Sequence, residues 1–315
     1  MAGDVRIAVA TTPRENKSEG IKQWRDYVRD HFSTEIAKGQ IAKLVVAMPT
    51  RTKSDVAEEL DSIIEGTPKE FWAEMEPGLI GAGDTYRGAC FFAFEGRKSI
   101  TNIPVGYALH VPIDVDFGNL HPDDVQYNLR KLLDPVNSAS SEHELPALVI
   151  GDYIPMIWDD THKTSKQSPF KVLIEEHVKE QLRHYFPNNV VERLGINRPR
   201  TEFFLISKKL FEAVASERRF SPYDPIPQVL IFADRRDFRI EKVELGKFYE
   251  KPPPSSSVRI REQVFRTAAQ ISMEWLRWEH DASLKSHEVR LLSGMWMDTV
   301  VEGMNLAFKA LEQIL

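Results

Sequence analysis

A single cysteine, Cys90, occurs among 315 residues, so the chain has neither a disulfide framework nor a cysteine-built zinc site. No apolar run approaches the roughly eighteen residues of a membrane-spanning helix; the longest, such as Leu44–Met48, are the size of strands. Positive charge is not in excess either. With 41 Lys+Arg against 47 Asp+Glu, a formal net charge of −6, nucleic acid could be gripped only by a local basic groove. Asp4 and Arg6 interrupt the stretch where a signal peptide places apolar residues. Ala2 stands where N-myristoylation needs glycine, and no C-terminal lipidation box is present. The chain therefore reads as a soluble cytoplasmic protein with no membrane partner. HExxH, CxxC, GxSxG and EF-hand patterns are absent too. Gly83–Gly88 has the gap of a phosphate loop but is followed by Ala89 rather than Lys, and Tyr86 stands where a dinucleotide fingerprint needs glycine.

What the chain does have is ordinary globular material, 42% hydrophobic, 10% aromatic and 28% charged, enough for one large α/β domain or two smaller ones. Over the first 250 residues strand-like and helix-like segments alternate. Val5–Ala10 and Lys43–Met48 read as strands, and between them Ile21, Trp24, Val28, Phe32 and Ile36 recur at helical spacing behind Ser18. Thr67-Pro68-Lys69-Glu70 has the form of a helix start. Ala89–Phe94, apolar on both faces, predicts an interior strand that holds Cys90 buried. From Val105 to Phe117 apolar and polar or small residues alternate, which predicts a half-buried strand, and with 88–94 this suggests a hairpin. Ala147–Ile150, Glu202–Ser207 and Gln228–Ala233 complete the expected strands, and Ser168-Pro169 opens another helix.

The expected fold class is α/β, a mainly parallel or mixed sheet flanked by helices and followed by a C-terminal α-helical hairpin. The α/β domain spans residues 1–250, with a possible subdomain joint at the polar stretch 134–146. Pro-Pro-Pro-Ser-Ser-Ser at 252–257 marks a linker over 251–257, and the hairpin covers 258–315. Val264, Ala268, Ile271, Trp275 and Trp278 stripe its first helix. This hairpin has two readings: packing on its own domain, or an interface between copies of the chain in a homo-oligomer.

Asp114 and Asp116 leave the predicted strand on one face, with His110 on the same face upstream. Carboxylates so spaced suit a hard cation, Mg²⁺ or Mn²⁺, that neutralises phosphate oxygens during group transfer; the competing reading is a solvated strand face. In open α/β sheets ligands gather beyond the carboxyl ends of strands. Thr11, Thr12, Arg14 and Lys17 follow one such end, and Arg51 and Lys53 another, as a phosphate cradle or as plain helix caps with solvated cations. Asp152 and Asp234 are expected just past apolar strands, as candidates for a third carboxylate.

Ile7-Ala-Val-Ala-Thr-Thr-Pro-Arg14, with Asp114-Val-Asp116 about a hundred residues on, resembles the layout of nucleotide-sugar glycosyltransferases. That resemblance implies a nucleotide on the first strand and a metal on the Asp-x-Asp, although here a strand rather than a helix is expected before it. Ile113-Asp-Val-Asp116, Ser141-Glu-His143 and Phe232-Ala-Asp234 resemble, in order, the three motifs of archaeo-eukaryotic primases. The leading expectation is a divalent-metal-dependent transferase acting on a nucleotide or other phosphate-bearing substrate. Asp114 and Asp116 would be catalytic and, with His110, hold the metal; Thr12, Arg14, Lys17, Arg51 and Lys53 would take the phosphates. The alternative is a non-catalytic α/β scaffold that binds a partner, or itself, through residues 258–315.

Overall fold

The computed structural model of the chain describes residues 5–11, 18–49, 69–72, 82–95, 103–112, 128–159, 164–217, 225–249 and 257–279. In chain order the first half holds β1 (Ile7–Thr11), α1 (Ser18–His31), α2 (Ser33–Ala37), β2 (Ile41–Pro49), β3 (Lys69–Trp72), α3 (Ala82–Glu95) and β4 (Tyr107–His110). A 3-10 turn at Leu129–Leu133 and the short α4 (Asp134–Asn137) lead on to β5 (Leu148–Asp159) and β6 (Thr164–Gln167). Then come α5 (Pro169–Tyr185), α6 (Val190–Arg193), β7 (Phe204–Ser207), α7 (Lys208–Ser216), α8 (Pro225–Arg235), β8 (Ile240–Tyr249) and α9 (Ser257–Glu279).

The strands join in one sheet of order β3-β2-β1-β4-β7-β5-β6, with β8 on β5 as well. β3, β2, β1 and β4 run parallel, whereas β7 is antiparallel to both β4 and β5. β5 and β8 consequently point the same way as β4. Met156 pairs with Gln167 of β6 and with Tyr249 of β8, while Ile150 pairs with Phe204 of β7 and with Lys242 of β8. β6 and β7 thus share one flank of β5, in line with each other, and β8 takes the other flank. This is the α/β fold with a mixed, helix-flanked sheet that the alternation of segments predicts.

Side chains alternate across the sheet as period-two strands require. Ala8, Ala10, Val45 and Ala47 face one layer with Cys90, Phe92, Val178, Leu210 and Leu230 from α3, α5, α7 and α8. Ile7, Val9, Leu44 and Val46 face the other, with Trp24 and Val28 of α1, Phe32 just after it, and Leu129, Leu132 and Leu133 of the 3-10 turn. The alanines of β1 and β2 fall on the α3 side, where small side chains let a helix lie close to the strands.

Three local expectations are corrected. Residues 89–94 lie in α3, not in a strand, so no hairpin joins 88–94 to the β4 segment. Residues 228–233 lie in α8. Both runs are buried on nearly every side, from Pro225 to Ala233 in α8. A helix without a polar face leaves no 3.6-residue rhythm and cannot be told from an interior strand by periodicity. Lys69–Trp72 forms β3, a strand paired with β2, where Thr67-Pro68 suggested a helix. Within the alternating segment the strand proper is Tyr107–His110, and residues 113–117 lie outside the described residues.

The stretch 134–146 folds as α4 and a second 3-10 turn, Glu142–Glu144, with one sheet continuous to either side of it. α9 is the first helix of the expected hairpin, and its aromatic stripe packs within the chain. The Trp275 ring lies 5.6 Å from Tyr185 of α5, and Trp278 lies 6.2 Å from Phe232 of α8. Residues 280–315 lie outside the described residues. Among the described residues no helix is long and apolar enough to cross a membrane.

Candidate functional site

β1 is the strand from which the chain departs in both directions. The path first moves to β2 and β3 on one side, then returns through α3 to place β4 on the other. In open α/β sheets such a reversal is where ligands gather, beyond the carboxyl ends of the two strands, because the connections leave over opposite faces of the sheet. Ile7, Ala8, Val9 and Ala10 pair in register with Tyr107, Ala108, Leu109 and His110, and the Val111 amide donates to the Ala10 carbonyl at 3.1 Å. Thr11 pairs with Val46 of β2. The ends of β1 and β4 therefore stand side by side, with β2 continuing past them to Pro49.

Several bonds fix these ends. The indole N–H of Trp24, fully buried on α1, donates to the Val111 carbonyl at 3.0 Å and ties the helix to the chain just past β4. The Thr11 side chain is fully buried, and its hydroxyl has no hydrogen-bond partner among the described residues. A buried hydroxyl left in that state costs about 1–3 kcal/mol, so a donor or acceptor supplied from outside would be favoured there.

His110 is buried within an aromatic cluster. Its ring stacks on Phe204 at 5.1 Å and meets the edge of Tyr86 at 4.6 Å. Nδ1 lies 2.6 Å from the Glu202 carbonyl, and since a carbonyl can only accept, Nδ1 carries the proton. In the neutral ring this places the lone pair on Nε2, the arrangement of a metal-ligating histidine oriented by a backbone acceptor.

Of the residues singled out from the sequence, His110 and Thr11 are described, and each lies at the carboxyl end of one of the two switch-point strands. Thr12, Arg14, Lys17, Arg51, Lys53, Asp114 and Asp116 lie outside the described residues. Among the described residues no group of three or more His, Cys, Asp or Glu is placed to hold a metal ion.

Asp152 and Asp234 both serve the fold. Asp152, on β5, accepts from the Asn197 amide at 2.9 Å, the Asn197 side chain at 3.0 Å and the Arg198 amide at 3.0 Å, and so fastens the loop ahead of β7. Burial raises its carboxyl above the ordinary range against the opposing pull of the Asn197 amide. Asp234 lies on α8 rather than past a strand; it accepts from the Val190 amide at 3.0 Å and pairs with Arg193. Cys90 is buried as expected, though on a helix, and burial pushes its thiol up to about 12, which leaves it inert as a nucleophile.

Sequence reasoning missed Trp24 as a tie to β4 and the Asp152 cluster as a polar centre. For Trp24 a signal existed: a tryptophan inside an apolar helical stripe needs an acceptor for its N–H when buried.

No family model matches the chain, and no curated protein matches it. Among solved structures, a mycobacterial protein shares 14% identity and a TM-score of 0.55, with 86% of this chain and 74% of that chain covered. Inositol-1-phosphate CTP transferase from T. maritima aligns over 86% of this chain and 98% of its own, at 13% identity and a TM-score of 0.42. 4-Diphosphocytidyl-2C-methyl-D-erythritol synthase from Anaerococcus prevotii aligns over 83% and 95%, at 12% identity and a TM-score of 0.40. The mycobacterial protein and this chain share a fold.

Proposed function

We propose that the chain is a divalent-metal-dependent transferase acting on a nucleotide or another phosphate-bearing substrate, with its site beyond the carboxyl ends of β1 and β4. The observation that carries this reading is the in-register pairing of β1 with β4 at the reversal of strand order. Thr12, Arg14 and Lys17 follow the first of these strands in sequence, and Asp114 and Asp116 follow the second. A basic segment and an acidic pair after two adjacent strand ends supply what phosphate transfer needs: cations for the substrate oxygens and carboxylates for a metal. The Thr11 hydroxyl, without a partner among the described residues, is a further donor of the kind a phosphate oxygen accepts.

In this reading Asp114 and Asp116 hold Mg²⁺ or Mn²⁺, with His110 beside them, and the ion supplies charge neutralisation at the transferring phosphate. Arg14, Lys17, Arg51 and Lys53 bind the remaining phosphate oxygens, and Thr12 donates from its hydroxyl. Trp24 holds the end of β4 in place through the Val111 carbonyl.

A ligand that binds only the native state raises its melting temperature. Thermal unfolding of the wild type and of the Asp114→Asn/Asp116→Asn variant across a nucleotide panel, with and without Mn²⁺, tests the proposal. A rise for at least one nucleotide that needs Mn²⁺ and is lost in the variant is expected. A flat panel, or a variant that responds like the wild type, would overturn it.

A further inference from the structure

A cavity of about 200 Å³ lies at the same end of the sheet, in the gap between β7 and β6 along one flank of β5. β7 pairs with β5 as far as Ile150 and β6 pairs from Met156, so the intervening stretch meets the loop ahead of β7 instead of a strand. Ile150 and His110 both pair with Phe204, which makes them level, and β5 runs on past the end of β4 from there. Asp152, Gln167, Glu175, Asn197, Arg198 and Glu244 line the cavity. Pockets for drug-sized ligands span roughly 300–1,000 Å³, so this one fits a smaller molecule.

The charges of the lining select the chemistry. Each carboxylate already has a cation nearby. Lys242 lies 3.7 Å from Asp152 and 2.6 Å from Glu244, Arg198 lies 3.6 Å from Glu175, and Lys179 pairs with the adjoining Glu176. Arg198 is itself engaged, held by Glu175 and laid over the Tyr153 ring at 3.9 Å. Three cations serve the four carboxylates, Lys242 being shared by two, so a donor-only ammonium would meet oxygens whose charge is already largely countered. A phosphate, itself an anion, would face all four carboxylates. The wall combines acceptor-only carboxylates with the amides of Gln167 and Asn197, which both donate and accept. Hydroxyl groups, each a donor and an acceptor, suit that mixture.

We infer that this cavity binds a small neutral polyhydroxylated molecule, such as a single sugar ring or short polyol. Its role as the acceptor of the transferred group rests on the transferase reading above; the binding itself does not. Titration calorimetry on the full chain tests it, with D-glucose and D-sorbitol as polyols, methylammonium as the cation and inorganic phosphate as the anion. Heat of binding for at least one polyol is expected, with none for methylammonium or phosphate. Gln167 and Glu244 lie at exposed strand positions, so the Gln167→Ala/Glu244→Ala variant should keep its melting temperature while its polyol affinity falls at least about tenfold. Its nucleotide response with Mn²⁺ should match the wild type. No heat from either polyol, preferential binding of methylammonium or phosphate, or unchanged polyol affinity in the folded variant would overturn the inference. Loss of the nucleotide response alone, with polyol binding intact, would strike only the transferase reading.

Discussion

At the scale of single residues, the join between β5 and β8 turns on two glycines. Asp152 pairs with Glu244 and Tyr153 with Gly246, so Leu245 is the extra residue of a bulge. Gly246 takes a φ of +97°, which side-chain-bearing residues rarely adopt. Leu245, fully buried, lies over Gly151: a Cβ built there would come 2.5 Å from Leu245 Cδ1 and 3.0 Å from the Phe203 carbonyl oxygen. The carbonyl oxygen also receives the Gly151 amide at 2.9 Å, which limits how far that side can move. Gly151→Ala should therefore destabilise the protein by about 1–3 kcal/mol, the usual cost of overpacking. Urea unfolding would show this as a lower midpoint with an unchanged slope; a midpoint equal to the wild type's would show that Leu245 can turn aside.

At the scale of elements, legibility followed the contrast between faces. β1 and β2 were readable as short apolar runs of strand length, Ile7–Ala10 and Leu44–Ala47, and α1 because the Trp24, Val28, Phe32 stripe carries its period openly. α3 and α8 lost theirs because the runs 89–94 and 225–233 are buried on nearly every side, and the exposed position in α3 is itself apolar, Phe91. β8 went unnoticed because Glu241, Lys242, Glu244 and Lys247 give it a polar look, although one edge of it forms the long ladder with β5. α1 also carries a pH dependence. His31, near its C-terminal end, stacks on Tyr27 at 5.3 Å, and burial first, then the Arg130 guanidinium, lower its pKa from 6.5 to about 4. On acidification the unfolded chain takes up this proton first. The His31 contribution to stability is thus full above about pH 6.5 and is lost as pH falls toward 4. The upper bound is about 3 kcal/mol, reduced to about 1–2 by the partial solvent contact of the ring. Chemical denaturation between pH 7 and 4 should show a shallower decline for His31→Gln than for the wild type; parallel declines would assign the acid sensitivity elsewhere.

At the scale of the whole molecule, strand position sets local stability. β1, β4, β7 and the first part of β5 are paired on both sides and lie between two helical layers, while β3 and β6 end the sheet order. Amide hydrogen exchange should be slowest at Val9, Leu109, Leu205 and Val149 and fastest at the ends of the sheet, in β3 and β6. Equal protection across the sheet would contradict this graded order. The site shows the same limit of sequence reading. That Thr11 follows a strand could be read locally, but the alternation running on to Phe117 hid that a strand ends at His110. That the two strands are neighbours depends on pairing between residues about a hundred positions apart, which no local pattern encodes. β7 is the extreme case. It lies between β4 and β5 yet is made about a hundred residues after β4 and after β5 as well. During synthesis at roughly 5–20 residues per second, the outer edge of β4 stays without its partner for several seconds. In that interval the nascent chain presents an open strand to chaperones, or to another copy of itself.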